Sequence, residues 1–406
     1  MEKKAKIIAT LGPAIYGETK LKQLVKLGVD AFRINFSHET KNISSIVKRI
    51  RKVERSTGKK IALIADLQGV KLRVGKIKDN FQKIKLNQKF TFDAKKDLGD
   101  KNRISFPYPK ILKKLKKGNK ILIDDGKYTF VVTGKTGTSV KTLCKSQNCL
   151  MRNNKSAHIP NFDIAFNSLT IKDKKDIKTA VKLGCNWVAL SYLQNEKLII
   201  EARKLIKKDM GIISKIENNT ATRAEINDIA TAIFQGADTV MLSAEAAIGK
   251  FPTQAVSTMT ETILSTEKYK REHIEDFKNS IFSDNDPVKS ILRSVKNIAY
   301  NQNVKAIIVF SNSGKSAKLV SAMRPAAKIV TISPNINVCR QVSLLWGVQS
   351  KNSRDANGWK DMMSISREII RKLKFIKKND FVIITAGLPF GKAGMTNMIR
   401  LYKVGT

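Results

Sequence analysis

At 406 residues, 42% hydrophobic and 27% charged, the chain has the balance of a folded globular protein with room for two or three domains. Lysine and arginine number 76 against 34 acidic residues, a formal net charge of +42. The lysines are spread over nearly every segment instead of gathering beside aromatic residues, so no nucleic-acid partner is expected, while anionic small ligands are attracted.

No apolar run approaches the roughly 18 residues that a membrane span requires. The first segment, Met1 to Lys6, leads into Ile7-Ile-Ala-Thr10, a run too short for a secretory signal. Four cysteines without Cys-x-x-Cys spacing, and only three histidines, offer no zinc pattern and suit a reducing cytoplasm.

Residues 1–72 read strand, helix, strand, helix, strand. Lys6 to Thr10 forms a strand ending at the Gly12-Pro13 turn, and a helix carrying Leu21, Leu24 and Val25 closes at Gly28. Ala31–Phe36 is the second strand. A helix with Ile43, Ile46, Val47, Ile50 and Val53 three or four apart stops at Gly58, and Ile61–Leu67 is the third strand. Such alternation means parallel strands with crossover helices.

From 73 to 156 the pattern changes to short apolar runs between Gly, Asn and Asp turns, such as Phe90-Thr-Phe92 and Tyr128–Val132, which predicts an inserted all-β domain. The α/β pattern resumes over 157–268. It holds strands at Trp187–Tyr192, Gly211–Asn218 and Thr239–Ser243, and Thr222-Arg-Ala-Glu225 is a capping box opening a helix to Phe234. Residues from Ser265 to about Pro287 are polar and read as a connection between domains. Residues 285–406 form a further α/β unit with strands at Lys305–Phe310, Lys328–Thr331 and Phe381–Thr385.

Strand parity picks out candidate chemistry. Side chains alternate across a strand, so Arg33, Asn35 and Ser37 share a face, as do Ile64 and Asp66, Lys215 and Glu217, and Ser243 and Glu245. Four strands thus carry polar or charged groups at their C-terminal ends, which is where parallel barrels build active sites.

Several segments, in order, resemble pyruvate kinase: Lys6-Ile-Ile-Ala-Thr-Leu-Gly-Pro13, Arg33-Ile-Asn-Phe-Ser-His38, Ala65-Asp-Leu-Gln-Gly69 with Lys71-Leu-Arg73, Ile123-Asp-Asp-Gly126, Ser214-Lys-Ile-Glu-Asn218, Thr222-Arg-Ala-Glu225, Met241-Leu-Ser-Ala-Glu245, Ser313-Gly-Lys-Ser-Ala317 and Gly394-Met-Thr-Asn397. The resemblance implies a TIM-type (β/α) barrel, an inserted β-domain acting as a lid and a C-terminal α/β domain of regulatory type. It further implies a cytoplasmic, commonly tetrameric enzyme of glycolysis that moves the phosphoryl group of phosphoenolpyruvate to ADP, giving pyruvate and ATP.

By the same resemblance, Lys215 lies along the transferring phosphoryl, Arg33 and Arg73 hold phosphates, and Glu217 is one of two carboxylates on Mg²⁺ or Mn²⁺. Asn35, Ser37, Asp66 and the Leu67 carbonyl match the monovalent-cation site. Lys71 stands where potassium-dependent members carry Glu, so its ammonium is expected to replace K⁺. The loop Ser311-Asn-Ser-Gly-Lys-Ser316, with Ser313, Gly314 and Lys315 at its centre, reads equally as an effector-phosphate site or a helix cap.

The resemblance also exposes a shortfall. Barrels of this class average about 250 residues for eight strand–helix units, and the barrel parts here leave room for about six. The strand at Gly211–Asn218 runs directly into the capping box at Thr222. The family places two further units there, with the second metal carboxylate in a Gly-Asp-Leu-Gly stretch that has no counterpart in this sequence. The expectations are therefore an incomplete barrel with unpaired strand edges and a kinase of weak or lost activity. The alternative is a binding remnant that keeps phosphate sites without turnover.

Overall fold

The computed structural model describes residues 3–37, 42–69, 72–124, 126–160, 168–191, 196–207, 209–215, 226–273, 287–387 and 396–405. The chain opens with β1 (Lys6–Thr10), α1 (Glu18–Leu27), β2 (Val29–Asn35), α2 (Ile43–Thr57) and β3 (Ala62–Asp66). Of the periodic residues of α2, Ile46, Val47, Ile50 and Val53 are buried and Ile43 is half-buried, and Gly58 ends the helix at φ 66° where a side chain would be strained. The inserted unit follows with β4 (Phe81–Ile84), β5 (Lys89–Asp93), β6 (Arg103–Ser105), α3 (Pro109–Lys114), β7 (Lys120–Ile123), β8 (Tyr128–Thr136), β9 (Ser139–Cys144), β10 (Cys149–Arg152) and β11 (Ala157–His158). It has its own core around Phe90, Phe92, Phe106 and Phe130, whose rings meet edge-on or tilted.

The first unit resumes with α4 (Ile171–Lys182), β12 (Trp187–Leu190), α5 (Glu196–Leu205), β13 (Gly211–Ser214), α6 (Ile226–Phe234), β14 (Thr239–Leu242), α7 (Ala244–Ala247) and α8 (Pro252–His273). The last unit contains α9 (Pro287–Asn301), β15 (Ala306–Phe310), α10 (Lys315–Ala322), β16 (Lys328–Ser333), α11 (Ile336–Val342), β17 (Val348–Asn352), α12 (Trp359–Lys372), β18 (Phe381–Ala386) and β19 (Met398–Lys403). Its five strands run β17-β16-β15-β18-β19, with only β19 antiparallel.

Six parallel strands of the first unit form one curled sheet in the order β13-β12-β3-β2-β1-β14. The last strand in sequence returns to pair with the first, as in a barrel, yet no β13–β14 pairing exists among the described residues. The opening falls where the sequence is short of two units. The edge strands are accordingly less buried: Ile212, Ile213 and Val240 are half-exposed and Met241 is 44% exposed.

One parity of these strands packs outward on the helices and forms the main core, including Ile7, Ala9, Phe32, Ile34, Leu63, Ala65, Val188 and Leu190. The other parity, Ile8, Ala31, Ala62, Ile64, Trp187, Ala189 and Ile213, lines the concave side and clusters around Leu344 of the C-terminal unit. Three concave-side groups at the strand starts reach the same segment. Lys6 Nζ donates to Val348 O at 2.7 Å, Trp187 Nε1 to Gln341 O at 3.3 Å and Thr239 Oγ1 to Leu344 O at 3.3 Å. The C-terminal unit thereby floors the curl.

Two sequence expectations shift. The polar stretch expected as a connection from Ser265 is helical to His273, because Glu267 turns inward and accepts from the backbone N–H groups of Lys4 and Ala5. Strand β14 ends at Leu242, and the pair Ser243 and Glu245 does not join the other strand ends: Glu245 Oε2 accepts from Ser243 N across the start of α7. The capping box at Thr222 lies outside the described residues.

Candidate active site

The C-terminal ends of β2, β3, β12 and β13 bring a small charged group together. Asn35 and Asp66 are register neighbours on β2 and β3, so Arg33, two residues earlier on the same face as Asn35, reaches Asp66 from the side. Arg33 Nε donates to Asp66 Oδ2 at 2.6 Å, and its Nη1 donates to Thr10 Oγ1 at 3.0 Å. From the other flank, Lys215 Nζ lies 3.2 and 3.3 Å from the two Asp66 oxygens. Asp66 is 2% exposed. A carboxylate this buried is stable only when paired, and here two cations share it.

The cluster therefore carries one positive charge more than negative among these three groups, beside a mouth to which the half-exposed side chain of Lys215 has access. An oxyanion placed there meets donors already oriented and partly desolvated.

Two members of the group were not singled out by sequence. Ser191, just past β12, accepts from Lys215 Nζ at 3.1 Å and donates to Leu67 O at 2.7 Å. Thr10 ends β1. Each is a lone hydroxyl at a strand end, a pattern indistinguishable from ordinary solvation until the register is known. The only sequence signal available was parity, which puts Ser191 on the Trp187 and Ala189 face.

The other candidates are distributed as follows. The Asn35 side-chain oxygen accepts from Ser37 N at 3.0 Å, so both adjoin the cluster on the turn after β2, with Ser37 exposed. The Leu67 carbonyl is held by Ser191. Arg73 is not joined to the cluster by any described hydrogen bond: it is exposed at the root of the inserted unit, its Nη1 donating to Asn154 O at 2.9 Å. Glu217 and Lys71 lie outside the described residues. Among the described residues no group of three or more His, Cys, Asp or Glu side chains could hold a metal ion.

In the C-terminal unit, the loop between β15 and α10 is closed by its own serines: Gly314 N donates to Ser311 Oγ at 3.0 Å and Lys315 N to Ser313 Oγ at 3.4 Å. The Ser316 hydroxyl accepts from Thr396 Oγ1 at 2.7 Å. Ser313 and Lys315 remain exposed at the helix start.

Among the described residues no helix is long and apolar enough to cross a membrane. Comparison with known proteins bears on the fold. The family model for the pyruvate kinase barrel domain matches residues 2–221 and 210–256, two pieces that overlap at the strand bordering the opening. The pyruvate kinase alpha/beta domain matches residues 289–402. A pyruvate kinase from Agrobacterium vitis is 28% identical over 475 aligned residues, covering 99% of this chain and 97% of that protein. One from Geobacillus stearothermophilus is 27% identical over 476, covering 100% and 81%. A solved structure of a pyruvate kinase from Cryptosporidium parvum superposes with a TM-score of 0.88 at 22% identity, covering 99% of this chain and 96% of that one. The alignments run well beyond this chain's 406 residues. With its curled parallel sheet, inserted sheet domain and C-terminal α/β domain, the chain belongs to the pyruvate kinase family.

Proposed function

We propose that this chain binds phosphoenolpyruvate and ADP at the Arg33–Asp66–Lys215 mouth and transfers the phosphoryl group between them, at a rate well below that of a complete barrel. The observation that carries the reading is the sharing of Asp66 by Arg33 and Lys215, which fixes two cations on one side of an open site. In the reaction the enol oxygen–phosphorus bond breaks, a bond forms between that phosphorus and a terminal oxygen of ADP, and the enolate left behind takes a proton from water at its methylene carbon to become pyruvate. Charge on the moving group is neutralised by Lys215 and Arg33, which are preorganised and need not move.

A divalent ion, when bound, would supply further charge neutralisation for the moving phosphoryl group. Asp66 is committed to its two cations, so the residue of this chain that would hold the ion is Glu217, a carboxylate suited to Mg²⁺. A single protein carboxylate makes that affinity weak. Lys71 takes the place of potassium, and the loop at Ser311, Ser313, Gly314, Lys315 and Ser316 receives an effector phosphate on its exposed side. The assembly is the four-chain one that the resemblance implies.

A coupled assay for pyruvate at rising Mg²⁺ tests the reading. Slow turnover that saturates only at high millimolar Mg²⁺, and is equal in potassium and in a bulky organic cation, is the expected result. The open edge between β13 and β14 favours a second reading, a phosphate-binding remnant without turnover. Calorimetric binding of phosphoenolpyruvate with no pyruvate formed, at any Mg²⁺ concentration, would establish that reading instead.

A further inference from the structure

We propose that Ser191 is a positioning residue that aims the Lys215 ammonium at the reacting phosphoryl. The inference rests on the phosphotransfer reading for its kinetic consequence, but its geometric core does not.

A serine hydroxyl has one proton to give. That of Ser191 goes to the Leu67 carbonyl, at 2.7 Å against 3.3 Å to Asp66 Oδ1. With the proton turned toward Leu67, the lone pairs of Oγ face Lys215, whose Nζ donates to them at 3.1 Å. Asp66 and Ser191 thus grip the ammonium of a long, flexible side chain from two different points of the sheet. A second acceptor on a different strand fixes its direction.

The backbone of Ser191 is itself closely packed. Gly69 sits at φ +63°, and a Cβ there would come 2.7 Å from Ser191 O, so backbone packs directly on this serine. Gly69 N in turn donates to the buried Asp173 at 3.2 Å, and Leu67 N to Ala189 O at 3.0 Å. Lys215 N donates to Leu190 O at 3.0 Å, which ties the start of the lysine's own segment to the same point. Ser191 thus links the turn after β3 to the lysine after β13, and its hydroxyl direction is set by the Leu67 carbonyl rather than by solvent.

The test compares Ser191→Ala, Ser191→Thr, Lys215→Met and the double variant Ser191→Ala/Lys215→Met. In the coupled assay at saturating Mg²⁺, Ser191→Ala is expected to lower kcat by about 10- to 100-fold, since misplacing a catalytic group by about 1 Å costs up to that much. The KM for phosphoenolpyruvate should change less than about threefold, and Ser191→Thr, which keeps the hydroxyl, should recover most of the loss. Without any substrate, the melting temperatures of the four proteins form a cycle, and the two substitutions should be non-additive by about 1–2 °C if the groups touch.

Additive melting shifts, or a threonine variant as slow as the alanine one, would overturn the assignment. Non-additive melting in a chain that makes no pyruvate would retain the coupling of Ser191 to Lys215 and reject the turnover reading instead.

Discussion

Arg33 Nε lies 2.6 Å from Asp66 Oδ2, and the same carboxylate takes Lys215 from its other side. Removing the charge but not the shape, as in Asp66→Asn, leaves two cations facing each other across a neutral amide. The expected results are a loss of about 10²- to 10³-fold in kcat/KM and a stability loss of roughly 3 kcal/mol, the scale for breaking one side of a buried pair. Steady-state kinetics with urea unfolding checks both. Retention of full activity by this variant would mean that the cations are placed by something other than Asp66.

A second buried carboxylate binds the C-terminal unit to the barrel. Glu54 of α2 is 3% exposed and accepts from Arg340 of α11 at 2.7 Å, from Arg51 at 2.7 Å and from Ile61 N at 3.1 Å. Burial alone would raise its pKa, but the Arg340 hydrogen bond and the two arginine charges outweigh that and hold it below the ordinary 4.5. Burial brings Arg51 itself down to about 10, helped by Arg340 and opposed by Glu54. A depressed acid stabilises the fold above its unfolded pKa and loses that contribution as pH falls through the folded value. Glu54→Gln should therefore cost about 3 kcal/mol at pH 7, with the gap to the parent narrowing below about pH 4.5. Thermal melts of both proteins from pH 3 to 7 measure the gap, and a gap independent of pH would contradict the assignment.

The opening in the curled sheet carries a different consequence. Met241 on β14 is 44% exposed next to half-exposed Val240, and the described residues of β13 and β14 pair on one side only. Apolar, one-sided parallel strands are templates for association with other chains. Met241→Lys places a charge on that edge and should reduce aggregation at about 50 °C several-fold by light scattering, with the circular dichroism of the folded chain unchanged. Equal scattering from both proteins would locate the sticky surface elsewhere.

Parity made much of the site legible in the sequence. Arg33, Asp66 and Lys215 were readable because a strand's alternation is fixed by backbone geometry, and a charge at a buried strand end has few stable explanations. Ser191 and Thr10 were not readable, since their roles exist only through register between strands far apart in the chain. The polar run after Ser265 misled for a related reason: Thr266 and Glu267 look like linker by composition, yet both are buried, Glu267 by accepting the N–H groups of Lys4 and Ala5. The floor of the sheet was equally hidden. Leu344 is one apolar residue among many, and nothing local says that it enters the concave side of another unit.

Lys6, which reaches that floor from β1, makes an unusual stability prediction. Its side chain is buried, with Nζ donating to Val348 O, and burial lowers its pKa from 10.5 to about 8 despite the attraction of Asp30. Lys3 and Lys59 lie on the same carboxylate and add to the lowering, while Glu267 opposes it. Asp30 keeps both of those lysines and the Ile7 N–H if Lys6 is removed. Between about pH 8 and 10.5 the unfolded chain binds more protons at this position than the folded one, so stability rises with pH there; below 8 the full cost of a buried charge is in place. Lys6→Met abolishes the titration. Net charge also falls as pH rises, so the informative quantity is the difference between parent and variant at each pH. The parent should gain on Lys6→Met by up to about 3 kcal/mol between pH 7 and 10, the free energy of a shift of this size. Urea unfolding at four pH values across that range measures it. A constant difference would mean that Lys6 enters the folded state fully protonated, held by Asp30 more strongly than burial opposes.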